Sequence, residues 1–151
     1  KKYCEEKKTA FIYSSNFSFG VNIFFKVNRY LASLMNKYDT HYNISIEETH
    51  HKEKLDSPSG TAISLANDII ENNNLFKSWT KNKKSGSISM ISKRQNKKIG
   101  KHNISFESKF DRIKIQHEAF SRDSFARGSI IAAKWIKNKK GIYKMDDILD
   151  F

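Results

Sequence analysis

Two adjacent histidines, His50 and His51, are followed by Lys54 and then by Ser57-Pro58-Ser59-Gly60-Thr61. Histidine is the side chain that holds or releases a proton near neutral pH. Lys54 adds a cation; walled in near Lys52, its ammonium form is disfavoured and gives up a proton more readily. The SPSGT run reads as a helix start. Pro58 suits the first helical turn, where its missing N–H costs nothing, with Ser57 or Asp56 as the cap. Gly60 has no side chain, so a ligand can approach the N–H groups of Gly60 and Thr61. A helix start with free donors and a positive dipole end accepts a carboxylate or phosphate. A well-capped helix is the plain alternative for SPSGT alone. Proton donors, a cation and an anion-binding turn within a dozen residues point instead to a site for a small anionic molecule. Neighbours at a strand end face opposite sides, so His50 and His51 have different tasks.

Metal chemistry is the competing use of these residues. Glu47-x-x-His50 and Glu48-x-x-His51 have the spacing of di-iron bundles, but that geometry needs a helix and a second copy. The segment reads as strand, and the zinc-protease pattern fails because Lys54 stands where its second histidine belongs. No metal site is expected.

The elements that must position these residues follow from periodicity. Residues 9–14 (TAFIYS) form a short β-prone run, and residues 15–17 a loop. Val21, Phe24, Phe25, Leu31 and Met35 recur at helical spacing over 18–36. A strand over 41–48 sets Ile44 and Ile46 on one face, with Asn43 and Ser45 on the other. After the breakers at 56–60, Ala62, Leu65, Ala66, Ile69 and Ile70 give a second amphipathic helix. Strands are expected over 87–94, 103–108 and 112–119, the last two joined by a turn at 109–111. A helix over 121–137 turns Phe125, Ala132, Trp135 and Ile136 inward. Four strands and three helices in this order predict an α+β fold, a four-stranded mixed or antiparallel sheet covered on one face by helices.

Composition narrows the class. The 151 residues suffice for one domain with a core, or one domain and part of another. The net charge of +12 invites a nucleic-acid reading. Yet lysine outnumbers arginine more than four to one, and arginine is the residue preferred for phosphate and base edges. No nucleic-acid motif occurs, so a basic module binding anions or nucleic acid is only the alternative. No apolar run is long enough to span a membrane. One cysteine, Cys4, allows no internal disulfide and fits a reducing, cytoplasmic setting. The first residues, KKYCEEKK, lack the apolar centre of a signal peptide. They read as the end of a helix, and the chain as a piece of something longer.

HHKEKLDSPSGTA resembles the signature of the 4-hydroxy-tetrahydrodipicolinate reductases (dihydrodipicolinate reductases). That pattern is roughly Glu-x-His-His-x-x-Lys-x-Asp-Ala-Pro-Ser-Gly-Thr-Ala, from which only Ser57 departs. SSNFSFGVNIFF is similar to the family's segment between cofactor and substrate domains. HEAFSRDSFARGSIIAAKWIKNKKGIYKMDDIL is similar to its C-terminal helix and tail. The family's Pro-Gly-Thr-His before its third strand stands here as IGKH, Ile99 to His102.

The resemblance implies roles. His50 takes the place of the catalytic acid/base, and Lys54 that of proton donor and substrate anchor. His51 is implied in substrate contact, and Gly60 and Thr61 in holding a substrate carboxylate through backbone N–H groups. Ser14, Ser15, Asn16 and Phe17 fall on the loop against the nicotinamide. The implied reaction is hydride transfer from NADPH or NADH to a cyclic imine dicarboxylate, with loss of its 4-hydroxyl as water, on the route to diaminopimelate and lysine. Family members begin with a dinucleotide-binding domain carrying a glycine-rich turn, and no such turn occurs here. Residues 1–17 are therefore expected to be the end of that domain and a hinge, and 18–151 the substrate-binding, catalytic and oligomerisation domain. A homotetramer is implied, with a dicarboxylate as small-molecule partner and neither nucleic acid nor membrane.

Overall fold

The computed structural model describes residues 2–37, 42–82 and 84–150. They form two compact units, residues 1–22 with 121–151, and residues 23–120. No helix among the described residues is long and apolar enough to cross a membrane.

The second unit is built on a mixed sheet. β2 (Asn43–His50) is central, parallel to β4 (Ser87–Arg94) on one side and antiparallel to β5 (Gly100–Glu107) on the other. β6 (Arg112–Ala119) pairs antiparallel with β5, as a hairpin requires. These are the four expected strands, although His41, the expected start of the first, lies outside the described residues. The sheet has a fifth strand, so the four-strand count is corrected. β3 (Ser78–Thr80) pairs parallel with β4 at the edge, giving the order β3-β4-β2-β5-β6. Three residues are too few to show a period of two, which is why Ser-Trp-Thr reads as loop in the sequence.

Alternation decides the two faces. Ile44, Ile46, Ile88, Met90, Ile104 and Phe106 point to one side and are buried. Against that core lie α2 (Phe19–Lys37) and α3 (Gly60–Asn72). Ala62, Leu65, Ala66 and Ile69 of α3 are fully buried, as their spacing predicts. Asn28 of α2 donates to the Leu65 carbonyl at 3.0 Å and joins the helices. Ser45, Glu47, Ser89, Lys93, Asn103 and Ser105 occupy the opposite, polar face by the same alternation.

The other unit contains α1 (Lys2–Glu6), a parallel pair of β1 (Ala10–Ile12) with β7 (Gly141–Tyr143), α4 (Asp123–Trp135) and α5 (Met145–Leu149). Trp135 packs edge-on to Tyr143 with ring centres 5.0 Å apart. Of the residues expected to face inward on α4, Ala132 is buried, whereas Phe125, Trp135 and Ile136 are half-buried.

Candidate active site

β2 delivers the chemistry because its core-facing row continues past the apolar residues. After Ile44 and Ile46 the same face carries Glu48 and then His50. The neighbouring strands add Ser92 and Arg94 in register from β4, and His102 and Gly100 from β5. The row thus turns from apolar to ionisable toward one end of the sheet.

Glu48 is the hub. Its side chain is fully buried, and its two oxygens accept the Ser59 backbone N–H at 3.0 and 3.1 Å. Its Oε2 lies 3.2 Å from His50 Nδ1 and 3.8 Å from His102 Nε2, and Oε1 lies 3.6 Å from Arg94 Nη1. Burial alone would raise the Glu48 pKa; the polar groups of His50, Ser59 and Ser92 gathered around it outweigh that and hold it at about 2. The carboxylate is ionised. Beside it, burial above all, with the neighbouring His50 imidazole, pushes His102 down to about 3, so its imidazole is neutral. His102 Nε2 is 3.2 Å from Ser59 Oγ.

The start of α3 differs from the sequence expectation in one detail. Neither Ser57 nor Asp56 is the cap, and Pro58 precedes the helix. Ser59 is the N-cap, its Oγ accepting the Ala62 N–H at 3.2 Å. The reason is tertiary: Glu48 claims the Ser59 N–H, which fixes the cap at least two residues later than local rules predict. The helix therefore begins at Gly60. Ile63 N–H reaches the Ser59 carbonyl at 3.0 Å, which leaves the N–H groups of Gly60 and Thr61 as the helix's outermost donors. A Cβ at Gly60 would meet nothing within 4 Å, so the approach there is open.

The loop between β2 and α3 carries the other two polar candidates. His51 is half-buried, with Nδ1 2.9 Å from Glu53. The partner the fold gives Lys54 is Asp56, at 2.7 Å, and the ammonium in turn lowers the Asp56 pKa. Arg94 pins this loop, donating from Nε to the Lys54 carbonyl at 3.2 Å and from Nη2 to the Asp56 carbonyl at 2.6 Å. His50, Lys54 and the helix start are thus tied together through Glu48 and Arg94.

Residues 14–17 belong to the other unit. Ser14 Oγ donates to the Asn16 carbonyl at 2.7 Å, and Asn16 Oδ1 accepts the Ser18 N–H at 2.9 Å. Gly128 packs so closely that a Cβ there would stand 1.8 Å from the Phe17 carbonyl oxygen. The turn is rigid, and Ser15 at its tip is exposed. The hydroxyl, amide and backbone groups of this turn are of the kind that could meet the amide of a nicotinamide, and among the described residues no glycine-rich turn follows a strand.

Glu48, His50 and His102 also offer three ligand atoms within 4.8 Å of one another. Both Glu48 oxygens already take the Ser59 N–H, and His102 Nε2 lies against Ser59 Oγ. Sequence pattern does not single out Glu48 or His102 as partners of His50. The available signal is the period of two, which puts Glu48 on the face of Ile46 and His50. The Gly100 position carries a second clue. A Cβ there would stand 3.3 Å from His50 Nε2, so this glycine leaves room for the imidazole.

Comparison with known proteins gives the family and the fold. A family described as "Dihydrodipicolinate reductase, C-terminus" matches residues 20–149. The 4-hydroxy-tetrahydrodipicolinate reductase of Christiangramia forsetii is 45% identical over 99% of this chain and 62% of its own length. The reductase of the same name from Archaeoglobus fulgidus is 38% identical over 95% of this chain and 58% of its own. Among solved structures, a dipicolinate-bound dihydrodipicolinate reductase from Paenisporosarcina sp. TG-14 superposes with a TM-score of 0.68 at 25% identity, covering 97% of this chain and 57% of that one. The chain spans about 62% of the length of the first of these relatives. By the extent of the family match and the level of identity, the chain belongs to the dihydrodipicolinate reductase family, of which it carries the C-terminal part.

Proposed function

We propose that this chain is the substrate-binding and proton-transfer part of a 4-hydroxy-tetrahydrodipicolinate reductase, acting in diaminopimelate and lysine biosynthesis. The observation that carries the proposal is the tie, through Glu48 and Arg94, between an imidazole, a lysine and an open helix start. The substrate is a dicarboxylate. One carboxylate would lie on the Gly60 and Thr61 N–H groups, favoured by the helix dipole, with the Lys54 ammonium and His51 beside it. The reaction consumes one proton, which leaves with the 4-hydroxyl as water. His50 would supply it from Nε2, the ring atom on the Gly100 side, with Lys54 as the second donor. NADPH or NADH, when bound, supplies the hydride. Ser14, Ser15, Asn16 and Phe17 would meet its nicotinamide, and residues 1–17 would be the end of the domain that holds the rest of it.

The polar sheet face supports a homotetramer. Among the described residues Asn103 Oδ1 and Ser105 Oγ on that face have no hydrogen-bond partner, in keeping with a face that would be completed by a second copy. We place the enzyme in the cytoplasm, in keeping with its single free cysteine. Light scattering at micromolar concentration should give an oligomeric mass; a monomer contradicts the assembly.

The functional test is His50→Gln in the complete enzyme. General acid catalysis is worth roughly a hundredfold or more, so kcat should fall by that much while KM changes less. Turnover left intact, with only the melting temperature lowered, would make His50 a structural residue.

A further inference from the structure

A fully buried carboxylate in a sheet core is expensive unless every lone pair has a use. Leucine or isoleucine at position 48 would extend the apolar row of Ile44 and Ile46. The capping hydrogen bond of α3 comes from the Ser59 hydroxyl and not from Glu48, which acts only on the Ser59 backbone N–H. What the carboxylate does that no apolar residue could is face His50. Nδ1 of that ring lies 3.2 Å from Oε2; the approach is poorly aligned for a hydrogen bond, and no other group partners the atom. Bonds of this type tighten when the substrate complex forms. An anion beside Nδ1 favours the tautomer with its hydrogen there and leaves the Nε2 lone pair as the place where the reaction's proton is taken up and handed on. On the other edge of the ring, Gly100 keeps the space next to Nε2 clear.

The same carboxylate takes the Ser59 N–H with both oxygens. One side chain therefore touches the imidazole and the residue immediately before the Gly60 and Thr61 donors. A movement of Glu48 would displace both at once. Groups that share its surroundings are the neutral His102 on β5, Arg94 on β4, His117 on β6 and Lys54 in the loop.

We propose that Glu48 is the positioning residue of this site: it holds His50 as the Nδ1–H tautomer with Nε2 aimed at the substrate, and registers that ring to the carboxylate-binding start of α3. This rests on the reading of His50 as proton carrier. Glu48 itself neither touches the substrate nor transfers a proton.

The test is nitrogen-15 NMR of the histidine rings in this chain, in the neutral-imidazole range of pH. Hydrogen bonds to an ionised acceptor are roughly twice as strong as neutral ones. In the wild type the Nδ1–H form of His50 should therefore exceed Nε2–H by about tenfold or more. Glu48→Gln keeps an oxygen for Ser59 but removes the charge, and the two forms should come within about threefold of each other. Glu48→Asp keeps the charge and should lie nearer the wild type than Glu48→Gln does. Helix content by circular dichroism should be equal in the three proteins. A wild-type ring protonated on Nε2, an unchanged ratio in Glu48→Gln, or the reverse order of the two variants overturns the proposal. The wild-type spectrum decides the matter even if Glu48→Gln does not fold. These spectra report the Glu48–His50 pair whether or not His50 supplies the reaction's proton, so they succeed or fail separately from turnover in His50→Gln.

Discussion

The turn at residues 14–17 and the stretch from His50 to Thr61 are held by opposite kinds of contact. The turn is stitched by neighbours two residues apart, Ser14 to Asn16 and Asn16 to Ser18, and then clamped by Gly128. The stretch from His50 to Thr61 is held from a distance, with Glu48 reaching Ser59 and Arg94 reaching the Lys54 and Asp56 carbonyls across about 40 residues. A site whose parts come from β2, β4, β5 and α3 is complete only where all four are folded, and here all four are present. On the function proposed above, the turn would meet one end of a dinucleotide. One region would then act within this chain, while the other would depend on the domain that holds the rest of the cofactor.

The comparison can be broken most forcefully at Gly128. Alanine there puts a carbon against the Phe17 carbonyl, backbone against helix, with no flexible side chain to give way. Overpacking of this kind costs roughly 3 kcal/mol. We expect a fall of that size in stability by denaturant titration, with protection lost around residues 14–17. Unchanged stability would mean that the clamp is not what holds the turn.

Acid should act on the other region. His102 has an ordinary pKa of 6.5 that burial lowers to about 3 in the folded chain. The unfolded chain therefore takes up a proton that the folded one refuses, and stability falls as pH drops below 6.5. Glu48, lowered from 4.5 to about 2, adds its own loss only below about 4.5. Between pH 7 and pH 5 the His102 contribution is about 2 kcal/mol, which is roughly 5 °C in melting temperature for a chain of this size. His102→Asn should flatten the slope in that interval. An equal slope in the variant would assign it to other groups.

Gly60→Ala should have the smallest effect on stability. Its side is open, and alanine in a helix gains at most about 1 kcal/mol over glycine. We expect the melting temperature to stay level or rise slightly while dicarboxylate affinity drops. Lost stability would show that the glycine serves packing.

Much of this was legible in the residues. The period of two in β2 and the spacing of Ala62, Leu65 and Ile69 determine the strand and helix that flank the motif. The motif residues and their family likeness point to the chemistry. What the sequence hides is tertiary: Arg94 lies 40 residues from Lys54, and His102 lies beyond two intervening strands. The misplaced helix cap has the same origin, because the Ser59 N–H answers to Glu48 and not to its neighbours. β3 escapes because three residues paired at a sheet edge carry no pattern of their own.

On the function proposed above, the carboxylate site is complete in this chain and the cofactor site is not. Calorimetry on the 151 residues with pyridine-2,6-dicarboxylate, and separately with NADPH, tests it most directly. A charged hydrogen-bonded contact is worth roughly 1.5–3 kcal/mol, and Lys54 with the Gly60 and Thr61 donors supplies several. Measurable binding of the dicarboxylate, abolished by Lys54→Ala, with no heat from NADPH, is the predicted result. NADPH binding to the chain, or no dicarboxylate binding at millimolar concentration, would contradict it.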